Sequence, residues 1–106
     1  MNKVQNPLSE TEDFFLSRNF KKLREEPRSN SSNCIGYSLR GEKIIIHSKL
    51  NGCFWIYLPN NQYTNNLEEG KKGRYRSMPK DLEKRINVKD ENSFHELLDI
   101  LKKTYN

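Results

Sequence analysis

Apolar residues are scarce in this sequence. They make up 33% of the chain, and the mean hydropathy is −1.01. No apolar run reaches the length of about eighteen residues that a membrane span needs, and no charged-then-apolar leader opens the chain. The expectation is a soluble, cytoplasmic protein with no membrane partner. Cysteine is scarce too: Cys34 and Cys53 are too few for a disulfide scaffold, and in predicted strands they are expected to behave as small hydrophobes. Neither a CxxC nor an HxxxH spacing occurs. A zinc site would have to gather Cys34, His47, Cys53 and His95 from distant positions, against ordinary ligand spacings. Gly70 and Gly73 bracket two lysines, but this pattern is neither a Walker loop nor a dinucleotide fingerprint. No metal and no cofactor is expected.

Catalytic signatures are equally thin. The Glu25-Glu26 pair, Glu12 and the Glu68-Glu69 pair fall on polar helix faces or loops, where carboxylates are ordinarily solvated charge. Acid–base work would need a pocket that shifts one of them. His47 sits in a mostly apolar run and reads as a hydrogen-bonded core or edge histidine, and His95 as a surface residue opening a helix. No serine or cysteine lies in a nucleophile elbow. No catalytic residue is assigned, and the sequence does not point to an enzyme.

What the sequence does contain is a strong hairpin signal. Residues 43–47 and 53–58 are apolar runs flanking Asn51-Gly52, and a type I′ turn needs φ > 0 at both central residues, which Asn and Gly tolerate. At 106 residues the chain is the size of one small domain. With so few aliphatics, its five Phe, five Tyr and single Trp must supply much of the burial.

Residues 1–8 are expected to be disordered, ahead of a single domain over 9–106. Ser9 and Glu12 form a capping box for a helix over about 10–25, with Leu16, Phe20 and Leu23 in one stripe, Phe15 on its flank, and an end before Pro27. Residues 26–33 form a polar linker. Ile35, Tyr37 and Leu39 alternate as a strand, joined by a tight connection at 40–42 to the hairpin. A two-residue turn at Asn51-Gly52 would place Ile44, Ile46, Leu50, Trp55 and Tyr57 on one face, with Trp55 and Tyr57 expected in the core. Ile45, Phe54, Ile56, Leu58 and His47 would then lie on the other. A two-residue first turn adds Ile35, Tyr37 and Leu39 to the first set, whereas a three-residue turn sends them to the second. After a loop over 59–70 and a basic segment over 71–85, Ile86 and Val88 mark a short fourth strand. Asp90 or Asn92 then caps a helix with Phe94, Leu97, Leu98, Leu101 and Tyr105 in one stripe. The expected fold is α+β: an antiparallel sheet of three to four strands with an N-terminal and a C-terminal helix packed on it.

Charge is unevenly placed. Lys71, Lys72, Arg74, Arg76, Lys80, Lys84 and Arg85 lie within fifteen residues, opposed only by Asp81 and Glu83, so this segment carries the whole net charge of +5. Twelve bases and twelve acids balance elsewhere. Such density suits backbone phosphates, and Tyr75 is placed to stack on an unpaired base. The plainer alternative is a solvated basic loop. The leading expectation is therefore a non-enzymatic module binding nucleic acid or another polyanion. The alternative is a protein-interaction domain, self-associating through an uncovered sheet face or acting as a small inhibitor.

From Tyr37 onward the chain resembles a small uncharacterised bacterial domain found at the C-terminus of restriction-type endonuclease chains and predicted transport proteins. The likeness rests on the strand around Tyr37, the paired strands 43–47 and 54–58, Lys72-Gly73-Arg74-Tyr75 before a strand, and the helix 93–105 closing in an aromatic. It covers about two-thirds of the chain. That family has more glycine after its Lys-Gly pair, where this chain carries Arg76, Ser77 and Met78. The resemblance implies an accessory module near nucleic-acid-processing or defence machinery and brings no catalytic residues with it.

Overall fold

The computed structural model of the chain describes residues 6–24, 33–48, 52–69 and 84–105. In chain order these form α1 (Pro7–Ser17), β1 (Lys21–Arg24), β2 (Asn33–Leu39), β3 (Glu42–Ser48), β4 (Phe54–Leu58), β5 (Glu68–Glu69), β6 (Lys84–Val88) and α2 (Glu91–Tyr105). The α+β class and the two terminal helices are as expected. The sheet is wider, with six antiparallel strands in the order β1-β2-β3-β4-β6-β5 rather than three or four. The two unforeseen strands are its edges. β1 has four residues and β5 two, too short to show a period of their own.

Arg40 and Gly41 join β2 to β3, both at positive φ (52° and 85°), as a two-residue primed turn requires. Leu39 therefore pairs with Glu42, Tyr37 with Ile44 and Ile35 with Ile46, which puts the apolar residues of both strands on one face. At the second turn the expectation fails by one residue. β3 stops at Ser48 and β4 resumes at Phe54, with Ile46 opposite Ile56 and His47 opposite Trp55. A slip of one residue turns every side chain of a strand over. Phe54, Ile56 and Leu58 thus join Ile44 and Ile46 in the main core, while Trp55 and Tyr57 move to the opposite face with Ile45. The reason lies in what each set would bury. The purely hydrocarbon trio packs beneath the helices without a polar atom, whereas Trp55 and Tyr57 would carry an N–H and an O–H into that layer.

The first helix also departs from expectation at both ends. Asn6 caps it, its side chain accepting from the Ser9 N–H at 3.1 Å, and Pro7 fills the first turn, where a missing N–H costs nothing. The helix ends at Ser17 because Asn19 adopts a left-handed φ of 70°. Phe20 N–H donates to the Phe15 carbonyl and Asn19 N–H to that of Leu16, both at 3.1 Å. This is a Schellman stop, with its hydrophobic contact in place: the Phe15 and Phe20 rings lie 5.0 Å apart. Phe20 and Leu23 therefore belong to the turn and to β1 rather than to a helical stripe. Leu16 is left 47% exposed, and Thr11, Phe14 and Phe15 form the buried face instead.

In α2 the Asp90 carboxylate accepts from the Ser93 N–H at 2.8 Å while the Ser93 hydroxyl accepts from the Asp90 N–H at 3.0 Å, a reciprocal cap. Phe94, Leu97, Ile100 and Leu101 are buried, with Leu98 and Tyr105 packed beside them, so the expected stripe is present with Ile100 added. Tyr105 closes the core against α1, its ring 6.3 Å from Phe15 and 5.3 Å from Phe20. Tyr37 stacks on Phe15 and donates to the Glu12 carboxylate, which Lys22 pairs at 3.4 Å. Burial first, then that carboxylate, push the Tyr37 hydroxyl far above the usual tyrosine range, so it stays a donor. Both helices share this one core, on one face of the sheet.

Two measurements check these ends. Asn19→Val should destabilise the protein by about 1–2 kcal/mol in urea unfolding, the cost of forcing a branched residue left-handed, while Asn19→Gly should be nearly neutral. Hydrogen bonds from the Ser93 N–H and hydroxyl hold the Asp90 carboxyl below its ordinary value, so the cap's contribution is present above the unfolded pKa of about 3.9 and is lost as pH falls through the folded one. The Ser93 amide proton should titrate with a midpoint below about 4, and that step should vanish in Asp90→Asn.

Candidate nucleic-acid interface

Of the basic positions singled out by sequence, Lys71, Lys72, Arg74, Tyr75, Arg76 and Lys80 lie outside the described residues. Lys84 and Arg85 open β6, and the alternation of the strand sends them to opposite faces. Lys84, on the helix side opposite Leu58, is only 9% exposed along its side chain. Its ammonium pairs with Glu69 at 2.5 Å and donates to the Asn65 carbonyl at 3.3 Å. Arg85, on the helix-free face opposite Tyr57, lays its guanidinium 4.2 Å from the Trp55 ring centroid and reaches Glu68 at 3.3 Å. Cation–π stacking of this kind favours Arg because its planar group matches the ring.

The Glu68-Glu69 pair is thus more than solvated loop charge. Each carboxylate of β5 meets the base directly across on β6, Glu68 with Arg85 and Glu69 with Lys84. Residues 59–67 deliver β5 to that place. The buried Thr64 hydroxyl donates to the Pro59 carbonyl at 2.9 Å and accepts from the Asn61 N–H at 2.8 Å. The Asn61 side chain in turn accepts from the Tyr63 N–H at 2.7 Å. Nothing periodic announces this, since an Asx-type loop is written in single side-chain bonds. The two acids and two bases also stand fifteen or more residues apart in sequence.

Two rows of side chains cross the helix-free face. Cys34, His47, Trp55 and Asn87 sit side by side on β2, β3, β4 and β6, and Gly36, Ile45, Tyr57 and Arg85 form the next row. Ile45, Tyr57 and Cys34 are 0–5% exposed, His47 is buried and Trp55 is half-buried. His47 therefore sits in a packed cluster, as its apolar setting suggested, and His95 lies exposed on α2. Trp55 lines the second face beside Arg85 rather than the main core that the sequence suggests for it. Asn87 had no signal in the sequence; only the β4–β6 register sets it against Trp55. Two polar atoms here, Arg85 Nε and Asn87 Oδ1, are buried without a hydrogen-bond partner among the described residues. Each such atom costs about 1–3 kcal/mol when left unpaired.

Among the described residues no cluster of His, Cys, Asp and Glu is arranged to hold a metal ion, and no helix is long and apolar enough to cross a membrane. What the face presents is a half-buried indole, a guanidinium stacked on it, and a neighbouring amide. Stacking on the indole and the ion pair with Glu68 together hold the Arg85 guanidinium against the sheet.

The two carboxylates of β5 should differ in weight. Glu69→Ala strands a nearly buried ammonium with only the Asn65 carbonyl, and should cost about 1–2 kcal/mol in urea unfolding. Glu68→Ala removes a partner from a pair whose acid is 62% exposed, and should cost about 0.5 kcal/mol or less. No family model, curated protein or solved structure matches the chain.

Proposed function

We propose that this protein is a non-enzymatic binding module for nucleic acid or another polyanion, with residues 71–85 supplying the phosphate contacts through Lys71, Lys72, Arg74, Arg76, Lys80 and Arg85. The observation that carries this is the charge distribution: seven bases against two acids in fifteen residues, with the remainder of the chain balanced. A local excess attracts a polyanion more strongly than the same charge spread evenly. Lys84 belongs to the same segment, but its charge is already met by Glu69, so its share in binding is small. The resemblance to a domain of restriction-type endonuclease chains gives the setting: an accessory role beside nucleic-acid-processing or defence machinery, in the cytoplasm.

Self-association or a protein partner through the sheet is the second reading. The helix-free face invites it, because no described helix lies there. That face offers a partner little apolar area, however, since Ile45, Tyr57 and Cys34 are already buried within the chain. The polyanion reading is therefore the stronger.

Anisotropy with labelled oligonucleotides at several salt concentrations tests it. Affinity should fall linearly on a log–log plot, with a slope of roughly 0.9 per duplex phosphate or 0.7 per single-strand phosphate neutralised, and roughly three to five contacts in all. Replacing Lys71, Lys72, Arg74 and Arg76 by alanine should weaken binding to all sequences alike and flatten the slope, with stability little changed. Tyr75→Ala should weaken single strands more than duplex. Absence of binding at low salt would remove nucleic acid from the account and promote the protein-partner reading.

A further inference from the structure

We propose that the end of the helix-free sheet face around Arg40 is a docking surface for the sugar–phosphate backbone of a nucleic-acid duplex, with Lys21, Arg40 and the Ser38 hydroxyl as its contacts. The inference rests on the polyanion reading above and adds to it a region far in sequence from residues 71–85.

The two layers of the fold carry opposite charge. The helices hold six acids against two bases, a net of −4. The strands hold six bases against three acids, a net of +3. A polyanion is therefore steered to the sheet side of the molecule, with the helices turned away from it.

On that side, pairing sets Lys21 of β1, Ser38 of β2 and Lys43 of β3 in one row, facing away from the helices. The row spans two strand spacings, about 10 Å. Ser38 and Lys43 also flank the turn that carries Arg40. Lys21 and Arg40 are exposed, and Ser38 and Lys43 are half-buried. The acids of the sheet stand elsewhere. Glu42 falls on the helix side with its partner Leu39, and Glu68 lies four strands from Ser38, on β5, where it pairs with Arg85.

Arg40 carries the central argument. Its φ of 52° lies in the left-handed region, where Asn or Gly is accommodated at less cost than a longer side chain. Among the described residues no carboxylate pairs with Arg40 or with Lys21. A guanidinium kept at a strained backbone position, with no internal partner to justify it there, is explained by a partner outside the chain.

The surroundings select a duplex backbone. Ile45 and Tyr57, in the next row of the face, are buried and leave no ring on which a base could stack. The exposed large apolar side chains among the described residues are Leu16 and Tyr63, neither of them on these strands, so a membrane has nothing here to take in. What remains is cations and a hydroxyl, which suit phosphate oxygens and read no sequence. Such contacts favour the densest line of phosphates, and a duplex carries one charge per about 1.7 Å of its axis.

Anisotropy with a labelled duplex of mixed sequence tests this on two double variants of equal net charge. Lys21→Gln with Arg40→Asn should weaken binding about tenfold at low salt and lower the salt slope by roughly one to two, the remainder belonging to residues 71–85. Lys102→Gln with Lys103→Gln, on α2, should leave both within about twofold of the wild type. Arg40→Asn alone should melt at or above the wild-type temperature, because Asn tolerates the left-handed turn. If the wild type binds but the two double variants bind alike, the docking surface is wrong while the polyanion reading stands. A clearly lower melting temperature for Arg40→Asn would give Arg40 a structural role and overturn the inference as well. So would vesicles of phosphatidylglycerol binding through Lys21 and Arg40 where the duplex does not. If no duplex or single strand binds the wild type at low salt, both readings fall.

Discussion

Ile46 facing Ile56 across β3 and β4 is the contact on which the rest of the protein depends. That pairing selects which half of each strand meets the helices. It assembles Ile44, Ile46, Phe54, Ile56 and Leu58 into one hydrocarbon layer, under which no Trp or Tyr hydroxyl from β4 has to be accommodated. Phe14 and Phe15 from α1, and Phe94, Leu97 and Leu101 from α2, pack on that layer. With only a third of the chain apolar, one such layer is what the sequence can fill, which is why both helices crowd onto a single side. The opposite face is then free to carry mixed chemistry.

Polar ties hold the periphery where apolar material runs out. At one end Tyr37, Glu12 and Lys22 link β2, α1 and β1. At the other, Lys84 and Arg85 fasten β5 through its two glutamates. The two ties differ in permanence. Tyr37 is fully buried and cannot trade partners with solvent, whereas Glu68 and Glu69 are mostly exposed and hold their bases from outside.

Much of this architecture was legible because it is written in periodic or strongly local signals. The stripe of α2 and the alternation of Ile35, Tyr37 and Leu39 follow directly from side-chain spacing, while the tight connection over 40–42 was legible without its length, which the positive φ of Arg40 and Gly41 fixes at two residues. Where reading failed, a tertiary preference overruled a local one. Asn51-Gly52 favours a two-residue turn, yet the β3–β4 register lies one residue away, where Phe54, Ile56 and Leu58 fill the layer beneath the helices and Trp55 and Tyr57 are turned to the other face. In the first helix, Leu16, Phe20 and Leu23 imitate a helical stripe, but one left-handed Asn19 ends the helix and makes Phe20 a clasp on Phe15. The edge strands were invisible because short edges draw their order from a neighbour. At the candidate site the basic residues could be seen as composition. Asn87, and the pairing of β5 with β6, exist only through the register of the sheet, which no window of sequence contains.

A six-stranded open sheet has two rims, and each could recruit another chain as an extra strand. β5 covers one rim for just two residues, and β1 forms the other. β1 presents Lys21 and Lys22, both exposed, along its length. Were a second copy to align there rim to rim, lysine would be brought toward lysine, and growth of a continuous ribbon from molecule to molecule would be opposed at the first step. The two lysines thus guard an edge whose backbone would otherwise serve as a template for pairing.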